Sequence, residues 1–162
     1  MDIYIHKSCY TAIMFSQTVE YALRAMVVLA NADGEPRTNQ QIAAASQVPP
    51  DYLSKVMQAL GRGGLVSAQR GKNGGFTLVR PVGEISILDI INTVDPIRRI
   101  ERCPLHIPEH GTRLCALHRK LDNALQMVED VFRTTTLLEM IDQPTWAKPL
   151  CGGPVSIHAK AN

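Results

Sequence analysis

Residues 38–79 read TNQQIAAASQVPPDYLSKVMQALGRGGLVSAQRGKNGGFTLV, and their punctuation decides the fold. Thr38 with Gln41 fits a capping box ahead of the run IAAAS, which predicts a helix. Val48-Pro49-Pro50 stops it. A residue before proline is pushed out of helical geometry, so the break falls near Gln47 to Pro49. Pro50 suits the first turn of a further helix, where a missing N–H costs nothing. That helix is expected over Asp51 to Leu60, with Tyr52, Leu53, Val56, Met57 and Leu60 available for packing, and it ends in Gly61-Arg62-Gly63-Gly64. Two short helices joined by a tight turn are the layout of a helix-turn-helix. Leu65 to Gln69 and Phe76 to Val79 can both form strands around the glycine-rich turn Arg70 to Gly75. A basic hairpin directly after a helix-turn-helix is a wing. The same glycines would suit a phosphate cradle, but no Gly-Lys-Ser/Thr ending and no following helix support one.

Working outward, Phe15, Val19, Ala22, Leu23, Met26, Val27 and Ala30 fall on one helical face, with Ser16 as N-cap and Asn31 to Gly34 as the stop. Glu20 and Arg24 lie four apart on this helix and suit a surface ion pair. Downstream, Ser86 with Asp89 caps a short apolar helix, Ile87 to Val94, which ends at Asp95-Pro96. Then comes Cys103 to His118, CPLHIPEHGTRLCALH, which holds two of the four cysteines and three of the five histidines. After it, Leu117, Leu121, Ala124, Leu125, Val128, Val131 and Phe132 keep a helical stripe from about Cys115 to Arg133. A five-turn amphipathic helix near the end of a small DNA-binding chain is a natural dimerisation element. Thr134 to Thr136 breaks the pattern, and Leu137 to Ile141 forms a short last turn.

This reading divides the chain into an N-terminal extension (1–13), a winged helix-turn-helix (14–95), a cysteine-containing sensor loop (96–118), a dimerisation helix (115–142) and a flexible tail (143–162). The fold class is mostly α with a small β-hairpin wing. Met14 is a candidate natural start, which leaves Cys9 in an extension without function; Cys151 falls in the tail.

The whole-chain figures bound the partners. Hydrophobic content of 45% supports a real core, while 5% aromatics makes that core mostly aliphatic. No apolar run approaches the ~20 residues of a membrane span, and the N-terminus lacks a signal-peptide layout, so a cytoplasmic protein without a membrane partner is expected. Cysteines in such a compartment are free, metal-bound or redox-active more often than structural disulfides. Net charge is only +2, but Tyr52 to Gly83 contains no Asp or Glu while Lys55, Arg62, Arg70, Lys72 and Arg80 fall there. A one-signed stretch in a nearly neutral chain points to a local anionic partner.

Double-stranded DNA fits that partner. The third helix would enter the major groove with Asp51, Tyr52, Ser54 and Lys55 nearest base edges, although core packing is a competing role for Tyr52. Arg70 and Lys72, at the wing tip, would reach phosphates or an adjacent minor groove and make affinity salt-dependent. A dimer would match a two-fold operator.

FSQTVEYALRAMVVLA, VPPDYLSKVMQAL, GLVSAQRGKNGGFTL, ISILDIINTVD, the cysteine loop ending CALH, and FRTTTLLEMI together resemble the Rrf2 family of bacterial winged-helix regulators, over residues 14–142. The resemblance implies a homodimeric transcription factor, not an enzyme, with long helices crossing at the dimer interface. Many members bind an iron–sulfur cluster through three cysteines in this loop, with a histidine three residues after the last cysteine or an acid from the partner's first helix as fourth ligand. Here Cys103 and Cys115 stand where the first and third cysteines would, and His118 where the histidine would. The middle cysteine is missing, its place falling at or near Glu109. Glu20 occupies the position of the acidic ligand, and Arg24 one where a variant pattern uses histidine.

Histidine or carboxylate can replace some thiolates at cluster iron. Cys103, Cys115, His118 and Glu20 of the partner subunit therefore make a four-ligand set for a [2Fe–2S] cluster, with Glu109, His106 and His110 as alternates. Cys115 and His118, at i and i+3, would face one side of a helix start. The same atoms would hold structural zinc. Without metal, Cys103 and Cys115 would be a reversible thiol–disulfide pair. The expected function is a redox-, iron–sulfur- or nitric-oxide-responsive transcriptional regulator, read as a repressor. A thiol oxidoreductase is the rival from another class, but it lacks a C-x-x-C and a strand–helix scaffold.

Overall fold

The computed structural model describes residues 15–71, 73–104 and 113–142. Among the described residues, six helices and one hairpin form the fold, with the first helix at its centre. Helix α1 (Gln17–Ala30) starts at Ser16, whose hydroxyl accepts from the Val19 N–H. Its second half, MVVLA, is buried on nearly every side. Helices α2 (Asn39–Ser46), α3 (Pro50–Arg62), α4 (Ile87–Val94) and α6 (Leu137–Ile141) all pack against it. The single apolar face expected of α1 is therefore too narrow: Ala25, Val28 and Leu29 are buried as well.

The capping box at Thr38 and Gln41 is present, and α2 ends at Gln47, which takes a left-handed conformation with φ of 56°. Asn39 at the start of α2 donates from Nδ2 to the Pro50 carbonyl (3.2 Å) and to Ser54 Oγ (3.1 Å), locking the start of α2 onto the start of α3. Helix α3 runs two residues past the expected Leu60, through Gly61 and Arg62. Its stop lies at Gly63 and at Gly64, which adopts φ of +71°. Gly63 is there for proximity, because a Cβ at that position would lie 2.4 Å from Thr93 Cγ2 on α4.

Strands β1 (Val66–Gln69) and β2 (Gly75–Leu78) form the antiparallel wing, with Val66 opposite Leu78 and Gln69 opposite Gly75. Arg37, just before α2, adds a one-residue third rung: its N–H donates to the Phe76 carbonyl (3.0 Å), and the Phe76 N–H donates back (2.8 Å). The hairpin is thus bonded to the segment ahead of α2 close to its turn.

A 3₁₀ turn, Val82–Glu84, leads into α4, whose Ser86–Asp89 capping box is as expected. Ile87, Leu88, Ile90 and Ile91 of α4 are buried, and α4 packs on α1, α3 and the long helix α5 (Ala116–Thr134). The last turn is more than a turn. Thr136 and Glu139 form a third capping box, α6 follows, and Leu137 is 0% exposed in the same core as α1. The Ile87 N–H donates to the Thr135 carbonyl and the Leu137 N–H to the Ile85 carbonyl, stitching the entry of α6 to the entry of α4.

The stripe on α5 divides in two. Leu125, Val128 and Phe132 are half-buried against the chain's own body, with Phe132 in an edge-to-face contact with Phe15 at 5.5 Å between centroids. Leu117, Leu121, Met127 and Val131 are 64, 48, 69 and 59% exposed. No helix among the described residues is long and apolar enough to cross a membrane.

Candidate DNA-reading face and thiol–imidazole site

On α3, Leu53, Val56, Met57 and Leu60 face the core, which turns Asp51, Lys55, Gln58 and Arg62 outward as one exposed line. Asp51 and Lys55 were expected there. Gln58 was not singled out and Arg62 was noted only for its charge, although i, i+4, i+7, i+11 spacing from Asp51 places them on the same side. Ser54 is committed internally: its hydroxyl donates to the Pro50 carbonyl (3.0 Å) and accepts from Asn39. Tyr52 stands between the two roles foreseen for it. It is 36% exposed, its ring meets Tyr21 edge-on at 5.3 Å, and its hydroxyl bonds that of Thr18 (2.5 Å), so it braces α3 on α1. Arg70 is exposed where β1 ends, ahead of Gly71, which takes φ of +115°. Lys72 lies outside the described residues.

The loop between α4 and α5 brings three of the expected donors together. Cys115 is the N-cap of α5, and His118 follows one turn later. Cys115 Sγ lies 3.2 Å from His118 Nδ1, and Cys103 Sγ lies 3.8 Å from the same nitrogen. Two thiols from opposite ends of the loop thus converge on one imidazole nitrogen. Ligands of a single tetrahedral ion with the usual metal–sulfur and metal–nitrogen bonds stand roughly 3.6 Å apart, so the two distances bracket a ligand spacing. Cys103 is buried at 6% exposure, and neither cysteine is in a disulfide. Two thiols and an imidazole are a donor set that iron or zinc accepts. They converge without closing a complete site: among the described residues, no group of three or more His, Cys, Asp or Glu is arranged to hold a metal ion. Glu20 stays apart on α1, where its Oε1 accepts from Arg24 Nε and Nη2, both at 2.8 Å. The alternates His106, Glu109 and His110 lie outside the described residues.

A feature absent from the sequence reading holds the approach to Cys103. Arg99 donates from Nε to Asp122 Oδ1 (2.7 Å) and from Nη2 to Asp122 Oδ2 (2.6 Å), a two-pronged grip on one carboxylate. Its Nη1 donates to Glu129 Oε2 (3.1 Å), and Nη2 also reaches Gln126 Oε1 (3.3 Å). The Ile100 N–H adds a fifth bond to the cluster, to Asp122 Oδ1 (2.9 Å). The Arg99 guanidinium, and then the Ile100 amide, hold the Asp122 carboxyl below the usual carboxylate range, while Asp122 above all raises Arg99 further. The partners are 23 and 30 residues away along the chain, and nothing local in the sequence distinguishes Arg99 from Arg98 or Arg102.

Comparison with known proteins agrees with this architecture. The Rrf2 family model, described as an iron-dependent transcriptional regulator, matches residues 15–143. An HTH-type transcriptional regulator of Mycobacterium tuberculosis strain H37Rv is 42% identical over 130 residues, covering 77% of this chain and 79% of the relative. One from Aquifex aeolicus strain VF5 is 33% identical over 133 residues, covering 80% and 92%. Among solved structures, CymR, the global cysteine regulator of B. subtilis, superposes with a TM-score of 0.66 at 26% identity, over 80% of this chain and 96% of that one.

Proposed function

The chain belongs to the Rrf2 family of transcriptional regulators, and on that footing we propose that it is a homodimeric repressor whose α4–α5 loop holds an iron–sulfur cluster. DNA binding and transcriptional regulation come with the family. The cluster, the dimer and the residue roles are the proposed part. One observation carries the sensor reading, the convergence of the Cys103 and Cys115 thiols on His118 Nδ1. The family description as iron-dependent favours iron over zinc. Cys103, Cys115 and His118 would hold the cluster, and Glu20 of the partner subunit would supply the fourth ligand, exchanging Arg24 for iron. When bound, a [2Fe–2S] cluster supplies the reversible redox or nitric-oxide chemistry that the loop reports.

The dimer reading rests on the outer face of α5. Four large apolar side chains, Leu117, Leu121, Met127 and Val131, are half to two-thirds exposed along one helix. An unpartnered apolar line of this kind is a protein–protein surface. For DNA, the outward line of α3 would enter the major groove, with Asp51, Lys55 and Gln58 toward bases, Tyr52 at the edge, and Ser54 as a brace of the turn. Arg62, Arg70 and Lys72 would meet phosphate.

Absorption, iron and sulfide content of anaerobically purified protein test the sensor. A coloured protein that bleaches in Cys103→Ser and His118→Ala is expected. A colourless, iron-free protein that binds its operator identically in oxidant and reductant overturns the reading. The second reading is a thiol switch, favoured by the closeness of both thiols to one nitrogen and by the fold shared with a cysteine regulator. It predicts iron-free protein whose operator affinity changes with oxidant and ceases to do so in Cys103→Ser. A zinc-stabilised form would instead carry one equivalent of zinc and ignore oxidant. For the wing, Arg70→Ala with Lys72→Ala should lower affinity about evenly across sequences and reduce the salt slope by ~2.

A further inference from the structure

Arg99 belongs neither to the DNA-reading elements nor to the donor set, yet its bonds fix where the donor set can form. Asp122 stands one helical turn after His118, and Glu129 two turns beyond that, so the imidazole and both acids lie along the same side of α5. Arg99 and the Ile100 amide bind Asp122, while three residues later Cys103 meets His118. Three residues span at most ~10 Å. The corresponding step along α5, from Asp122 back to His118, is about one pitch of 5.4 Å. Once Ile100 is fixed on Asp122, the Cys103 thiol is held within reach of His118.

We propose that Arg99 is the positioning residue of the sensor site. Gripping Asp122 and Glu129, it sets the register of residues 97–103 along α5 and delivers the Cys103 thiol to His118. This rests on the reading of Cys103, Cys115 and His118 as the sensor donors and adds the device that assembles them. The forked geometry matters, because a lysine would place one point charge where Arg99 engages two carboxylates at once. An ordinary surface ion pair contributes little to stability. Positioning and plain stabilisation therefore separate experimentally.

The test uses the full chain, iron-free and anaerobic, with N-ethylmaleimide as probe and modification of each cysteine followed by mass spectrometry. In wild type, buried Cys103 should react slowly. Arg99→Ala should raise its rate tenfold or more while Cys115 changes less than twofold and the helical circular dichroism is retained; Arg99→Lys should fall between. An unchanged Cys103 rate in folded Arg99→Ala overturns the proposal, and so does an equal rise at both cysteines, which would be general loosening. Should Arg99→Ala fail to fold, Glu129→Gln, which weakens one arm of the grip, is expected to raise the Cys103 rate severalfold, and no rise there overturns the proposal. The iron content of wild type decides the cluster independently of these rates, so the two readings fail separately.

Discussion

Tyr52 sits in the helix expected to read DNA, but its hydroxyl and ring are bound to Thr18 and Tyr21 on α1. Tyr52→Phe should cost about 1 kcal/mol in urea unfolding, and a double-mutant cycle with Thr18→Ala should show that most of this loss is shared. Asp122 supplies the pH prediction. Arg99 and the Ile100 amide lower its folded pKa, so its contribution to stability is complete above the unfolded carboxylate pKa and fades as pH falls through the lower folded value. The melting-temperature gap between wild type and Asp122→Asn, open at pH 7, should close below the usual carboxylate range. Both contacts escaped the sequence because each joins residues far apart in the chain, 34 for Tyr52 with Thr18 and 23 for Arg99 with Asp122. Cys115 and His118 were legible because they lie one turn apart, where spacing alone implies a shared side.

Among the elements, legibility followed local chemistry. The capping boxes at Thr38 and Ser86 fixed the starts of α2 and α4, since each satisfies backbone donors with side chains three residues away. Thr136 and Glu139 carried the same signal for α6, but five residues are too few to show a period. On α5, a stripe of seven apolar residues covers roughly a third of the circumference, the width of one ordinary packing face, so the sequence did not reveal that Leu117, Leu121 and Val131 stay exposed. Glycines in the wing were read as turn residues, whereas Gly75 is there for closeness: a Cβ would lie 2.7 Å from the Arg37 carbonyl group. Gly75→Ala should cost about 1–3 kcal/mol through that overlap. It should also weaken operator binding in a mobility-shift titration, by displacing the turn end of the hairpin from Arg37.

For the whole molecule, the testable quantity is association. If the outer face of α5 is covered by a second copy, Leu121→Glu with Val131→Glu buries charge in an apolar seam, and self-association should weaken roughly a hundredfold or more by sedimentation equilibrium. The melting temperature of wild type should rise with protein concentration, and that of the variant should not. The two ends of the described chain also meet, with Leu137 of α6 completing the cluster begun by Val19 and Met26 of α1. That closure has a consequence for how the protein is made. The helix-turn-helix and wing are translated by residue 78, but Leu137, one of the side chains of their shared core, emerges some sixty residues later. Synthesis must pass α6 before that last core position is filled. A ribosome stalled after α4 therefore holds a nascent chain whose core still lacks Leu137.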